Sequence, residues 1–163
     1  NMLTPTLGTH AQVKTQFFDD AWGSDSDYNR YSAYGKHYTQ FNDKWLLGLR
    51  ADAKAIDGDA PFYSYPFIQM RGIKAMRYQG EKTLLGEAEL SWVFNPRWTL
   101  TGFAGAGKAF GSSKEKDSDL IISRGLGIRY LIASKLGLKM GIDIAKGPED
   151  TAFYIIMGNA WAM

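Results

Sequence analysis

Few side chains in this sequence could act on a substrate. Its only histidines are His10 and His37, and cysteine is absent, which excludes disulfides, Cys-ligated metals and a thiol nucleophile. Ser123, Asp143 and His10 could meet on the inner face of a barrel, as in a hydrolase triad. No Gly-x-Ser-x-Gly elbow surrounds Ser123, however. The glycine-rich stretch from Gly102 to Gly111 lies within a strand pattern, not at a strand-to-helix turn, so it suits a crowded interior better than a phosphate loop. No enzyme activity, metal or cofactor is expected. The charged residues that remain recur at alternate positions, and their value depends on the elements that carry them.

Those elements are strands. Leu84 to Phe94 puts Leu84, Gly86, Ala88, Leu90, Trp92 and Phe94 on one face and Glu87, Glu89 and Ser91 on the other. Trp98 to Phe110 sets Trp98, Leu100, Gly102, Ala104 and Ala106 opposite Thr99, Thr101, Phe103, Gly105 and Gly107. Ile122 to Ile132 alternates with one exception, Arg124, and Leu136 to Ile144 alternates without a fault. Ala152 to Met163 closes the series, with Phe153, Ile155, Met157, Trp161 and Met163 on one side. Leu7 to Phe18, Tyr28 to Phe41 and Trp45 to Lys54 repeat the theme in the first half, giving eight strands and no helix-period stretch of useful length. One polar face then collects Lys14, Arg30, Lys36, Arg50, Lys54, Arg129 and Lys139 against Asp52, Glu87, Glu89 and Asp143.

A mean hydropathy of −0.29 and a longest apolar run of only Ala152 to Met157 rule out a membrane-spanning helix. They leave a membrane-spanning barrel open, because its strands show apolar residues on one side only. The net charge of +2 is too small to argue for nucleic acid. Connection lengths alternate: Asn42-Asp43, Asn95-Pro96-Arg97 and Ala133-Ser134-Lys135 are tight turns, whereas Asp19 to Asp27, Asp57 to Glu81 and Gly111 to Asp119 are long and polar. Short turns at one end and long loops at the other are the pattern of an outer-membrane barrel. Trp45, Trp92, Trp98 and Trp161 fall near strand ends, where an interfacial girdle would lie. A soluble eight-stranded sandwich or lipocalin-like barrel, with the apolar face inward, is the competing arrangement. The charges fit either one; the loop asymmetry and the tryptophans favour the membrane barrel. Asn1 to Pro5 carries neither a basic nor an apolar region of an export signal, which leaves the compartment open.

The run Gln69-Met70-Arg71-Gly72-Ile73-Lys74, the strand Leu84 to Leu90 that comes after its loop, and the terminal Gly158-Asn159-Ala160-Trp161-Ala162-Met163 resemble the barrel of BamA- and TamA-type outer-membrane proteins, the bacterial surface antigen family. In that family a long extracellular loop, here residues 57–82, carries an Arg-Gly-aromatic tip that folds back into the lumen. The resemblance assigns the tip to Arg71 and Gly72, with Ile73 in the aromatic's place, and makes Glu87 and Glu89 the partners of Arg71. A guanidinium held inside a barrel needs such a carboxylate fork to offset its desolvation. The inward Asp of the family's next strand is absent, since the chain reads Phe103-Ala104-Gly105-Ala106-Gly107. Gly158, Trp161 and Met163 match the family's C-terminal assembly signal, with Met where Phe is usual, and Arg50, Asp52, Arg129, Lys139 and Asp143 become lumen charges. The likeness also runs through Gly125 to Leu131 and Gly141 to Pro148.

Coverage departs from the family. Five strands come after the Arg-Gly loop and three precede it, so the chain corresponds to strands nine to sixteen, without POTRA domains. The expectation is therefore a single all-β domain, an antiparallel eight-stranded transmembrane β-barrel or half of a sixteen-stranded two-chain barrel, in a bacterial outer membrane. The resemblance implies protein insertion or translocation. Its partners would be the lipid bilayer, client outer-membrane proteins and a second copy in a homodimer. A closed structural or adhesive barrel is the alternative. An eight-stranded barrel has just enough interior for its own side chains, so an inward Arg71 loop argues for a wider one.

Overall fold

The alternation becomes eight consecutive strands in a computed structural model that describes residues 6–19, 21, 26–111, 117–158 and 160–161. They are β1 (Gly8–Phe18), β2 (Tyr28–Asn42), β3 (Trp45–Gly58), β4 (Lys82–Asn95), β5 (Trp98–Phe110), β6 (Ile121–Ala133), β7 (Leu138–Lys146) and β8 (Thr151–Met157). Each pairs antiparallel with the next, giving one sheet in the order β1 to β8. A short 3-10 turn, Phe62–Ser64, lies within the long connection between β3 and β4. Two of the tight turns are capped by side-chain amides. Asn42 Oδ1 accepts from the backbone of Lys44 and Trp45, and Asn95 Oδ1 accepts from that of Arg97.

The sheet is curled but open. β1 and β8 are not paired with each other, so the closed eight-stranded barrel expected from the strand count is not formed. Residues 59–81 fold back over the inner face, and their backbone and side chains fill space that a small closed barrel needs for its own inward residues. Ile68 and Met70 from this loop pack with Leu85, Ala109 and Ile121 in the protein's one cluster of buried apolar side chains among the described residues. Gly107 leaves room for them: a Cβ there would stand 3.1 Å from Ile68 Cδ1.

Polarity is reversed relative to a water-soluble core. On β7, Asp143 is 0% exposed, whereas its neighbours Ile142 and Ile144 are 53% and 48% exposed. The same holds from β3 to β8. Arg50, Asp52, Glu87, Thr101, Ser123 and Arg129 are buried on the concave face, and Leu84, Leu100, Ile122, Leu126, Phe153 and Ile155 are exposed on the convex one. The inward assignment of Phe103, Thr99 and Thr101 agrees with the period-2 reading.

Several boundaries differ from the sequence reading, among them β3, which runs on to Gly58 instead of ending at Lys54. Leu136 lies in the turn before β7, where Gly137 takes φ +67°. The last strand stops at Met157, and Gly158, with φ +78°, redirects the chain. A left-handed residue breaks the two-residue repeat, so Ala160 and Trp161 no longer alternate in step with the strand. Trp161, expected on the outer girdle, is instead buried at 4% exposure. It stacks at a tilt on Tyr38 of β2, 5.8 Å between ring centroids, and its backbone carbonyl accepts from Lys36 Nζ at 3.3 Å. Gly48 makes space for the indole, since a Cβ there would lie 3.0 Å from it. Met163 lies outside the described residues. Trp45, Trp92 and Trp98 do sit outward at the turn end, with Trp45 stacked on Trp92 and Trp98 packed on Tyr130.

Candidate functional site: a charge lock on the concave face

Arg71 is the centre of the concave face. The loop tip that carries it lies deep enough to leave it 8% exposed. Its Nη1 donates to Asp143 Oδ2 at 2.8 Å, and its Nη2 is 2.8 Å from Glu89 Oε2. The second contact is an ion pair without linear hydrogen-bond geometry, because neither atom has a hydrogen-bond partner by direction. The guanidinium also sits over the Phe103 ring, with Cζ 3.5 Å from its centroid. That contact adds cation–π attraction in a site largely removed from water. Phe103 thus occupies the strand on which the resembled family has an inward Asp, and Asp143 from β7 supplies the carboxylate.

Glu87 was expected to share Arg71 with Glu89, but it pairs with Arg50. Arg50 Nη1 donates to Glu87 Oε2 at 2.7 Å, and Arg50 Nη2 reaches Asp52 Oδ2 at 3.4 Å. The reason is register: Arg50 stands directly opposite Glu87 across β3 and β4, so the nearer cation takes the carboxylate. Arg50 Nη1 also donates to the backbone carbonyl of Gln69, fixing the loop just before its tip. Asp143 is shared in turn, because Arg129 donates to both its oxygens, one of them Oδ2 at 2.9 Å. Lys139 is half-buried and donates to Thr99 Oγ1 at 3.0 Å. Two clusters result, Arg71–Glu89–Asp143–Arg129 and Arg50–Glu87–Asp52, bridged by the loop.

The backbone at the tip is equally constrained. Gly72 takes φ +82°, and a Cβ there would meet Gly147 N at 3.0 Å and the Lys146 carbonyl carbon at 3.1 Å. Its N–H donates to the Tyr154 hydroxyl on β8 at 2.8 Å. Ser123 Oγ donates to the Arg71 carbonyl. Ser123 and Asp143 are therefore both engaged by the loop. His10, on the solvated edge strand β1, lies beside Tyr34, with ring centroids 6.4 Å apart, and His37 shares a hydrogen bond with Thr9. Sequence reasoning missed Phe103 and Tyr154 as members of this site and placed Asp143 in the lumen without assigning it to Arg71. The inward parity of all three was legible; their proximity to the loop was not.

A second, exposed anchor ties the loop to the β7–β8 connection. Arg77 Nε donates to both oxygens of Glu149 at 2.9 Å, the Tyr78 hydroxyl donates to Glu149 at 2.9 Å, and Lys74 Nζ lies 2.7 Å from Asp150. Hydrogen bonds from Arg77 and Tyr78 hold the Glu149 carboxyl below its ordinary value of 4.5, and the bond to Asp150 holds Lys74 above its ordinary 10.5. A depressed carboxylate stabilises the folded loop above its unfolded pKa and loses that contribution as pH falls through the folded value. A raised lysine does the reverse at the alkaline end. The anchor is thus complete between about pH 4.5 and 10.5. Amide exchange over residues 71–80, corrected for intrinsic rates, should quicken as pH drops below that window. Glu149→Gln should bring the same quickening at neutral pH while the strands stay protected; unchanged loop exchange in that variant would show the anchor to be inert.

No family model matches the chain, and no curated protein sequence does either.

Proposed function

We propose that this chain is the membrane-spanning part of an outer-membrane β-barrel of the BamA/TamA type, acting in protein insertion or translocation. One observation carries the membrane reading: the charged face is buried and the aliphatic face is exposed along the strands from β3 to β8. Exposing that much contiguous apolar surface to water is strongly unfavourable, and a bilayer is the environment that removes the penalty. Short turns with outward Trp at one end and long loops at the other support the same orientation.

The insertion reading is favoured over a closed structural or adhesive barrel by the state of the edges. β1 presents nearly every residue to solvent on both faces, and neither β1 nor β8 has a second partner strand. Free edges with unpaired backbone groups are templates for another strand, whether from a client or from a second copy completing a sixteen-stranded barrel. The lock is the device that would hold the loop within such a wider lumen.

Refolding into detergent or vesicles tests the reading. The folded protein should migrate faster than the boiled protein on a gel and should need detergent or lipid to stay monodisperse. A stable, fully water-soluble fold would overturn it. Cysteines at Val13 and Ile155, on the two edge strands, then separate the assemblies: intramolecular crosslinking marks a closed monomer, and intermolecular crosslinking marks a two-chain barrel.

A further inference from the structure

The convex face carries a second pattern, at its loop-side rim. Lys82 opens β4, Lys108 stands two residues before the end of β5, Arg124 three residues after the start of β6, and Lys146 closes β7. All four share the parity of the outward aliphatic residues, and Lys82, Arg124 and Lys146 are exposed. On β4 to β7 that outward face carries no carboxylate. Lys108 alone of the four has an acidic side chain within ion-pair distance among the described residues, Asp117 at 3.8 Å from its Nζ. At the opposite rim the same strands turn Trp92, Phe94, Trp98 and Tyr130 outward and carry no outward cation, since Lys139 faces inward and Arg97 and Lys135 lie in the turns. The two edges of the apolar band are therefore chemically different.

A groove lies beside Lys82. Across the sheet, Val13, Ala33, Ala53 and Leu84 are direct register neighbours. Two large side chains thus flank two small ones, leaving a trough of about 480 Å³ along β2 and β3 that Phe110 and Lys82 border at the loop end. Its walls are almost wholly apolar, and its volume falls within the range of small-molecule sites.

We propose that Lys82, Lys108 and the groove beside them form a docking site for a phosphate-bearing lipid in the leaflet on the long-loop side. Ammonium and guanidinium groups at the edge of an apolar band pair with phosphate oxygens at headgroup depth. The trough between Val13 and Leu84 takes one acyl chain. The inference rests on the reading of the chain as membrane-spanning.

The test uses the full chain refolded into phosphatidylcholine vesicles, with spin-labelled phosphatidic acid and spin-labelled phosphatidylcholine as probes. The wild type should hold phosphatidic acid in preference to phosphatidylcholine, with the preference falling about fivefold for each cation that contributes fully. Lys82→Gln with Lys108→Gln should lower it while leaving heat-modifiable folding intact, whereas Arg124→Gln with Lys146→Gln, about 20 Å away along the strands by register, should leave it unchanged. Ala53→Leu should weaken retention of the labelled chain without changing its salt dependence. Millimolar inorganic phosphate should fail to displace the lipid, since the acyl chain contributes; displacement by phosphate would show a simple anion site and overturn the lipid assignment. A protein that folds in these vesicles yet shows equal affinity for both probes overturns the inference and leaves the membrane reading standing. A protein that folds in no vesicle overturns both.

Discussion

Replacing Asp143 by Ala is expected to destabilise the folded protein by about 3–5 kcal/mol, the range for removing one partner from a buried ion pair. The carboxylate is fully buried and serves two guanidiniums at once. Arg71 would keep Glu89 and the face of Phe103. Arg129 would keep little, because its remaining hydrogen bond is a 3.4 Å contact to the carbonyl of adjacent Ile128. The larger share of the loss therefore falls on β6 and β7, and a smaller share on the loop. Asp143→Asn keeps the shape but removes the charge, so it should fall between wild type and Ala. Urea midpoints of the refolded protein measure the stability change, and amide exchange over residues 67–80 measures release of the loop. A midpoint unmoved by Asp143→Ala would mean that the two arginines are adequately hydrated and that no lock exists.

How much of this was legible in the sequence depends on the range of the interaction. Strand positions and parity are local properties, and Leu138 to Ile144 alternates in the structure as its residue types do along the chain. The turns carried their own signals in Asn42 and Asn95. The inward set of charges was legible because inward is simply the parity opposite to Leu, Ile and Trp. What parity cannot encode is distance across the concave face. Arg71 reaches Asp143 over a sequence separation of 72 residues, and only the path of the loop brings them together. Glu87 and Glu89 looked equivalent by spacing, yet the partner of Glu87 was decided by Arg50 standing opposite on β3. Trp161 was misplaced for a different reason: one left-handed glycine, Gly158, ends the repeat on which its outward assignment depended. Edge closure was not legible either, since strand count alone does not say whether the first and last strands meet.

The inner glycines of β6 and β7 give the second large effect, because they are the space in which the lock is built. Gly127 faces Asp143 directly across the ladder, and a Cβ at Gly127 would collide with the Asp143 carboxylate and stand 2.7 Å from Arg129 Nη1. Gly127→Ala adds one methyl group and no charge, yet the carboxylate or the guanidinium must leave its position. If the pair separates, the cost approaches that of Asp143→Ala, about 3–5 kcal/mol; an ordinary overpacking strain would cost only about 1–3 kcal/mol. The double variant distinguishes these. With Asp143→Ala already present the obstructing carboxylate is gone, so adding Gly127→Ala should cost little more, and the two changes should be strongly non-additive. Additive losses would mean that the methyl acts on the backbone of β6 and not through the ion pair. Glycine at this position would then be a requirement of the strand, and the account of the glycine-rich interior as room for buried charge would fail.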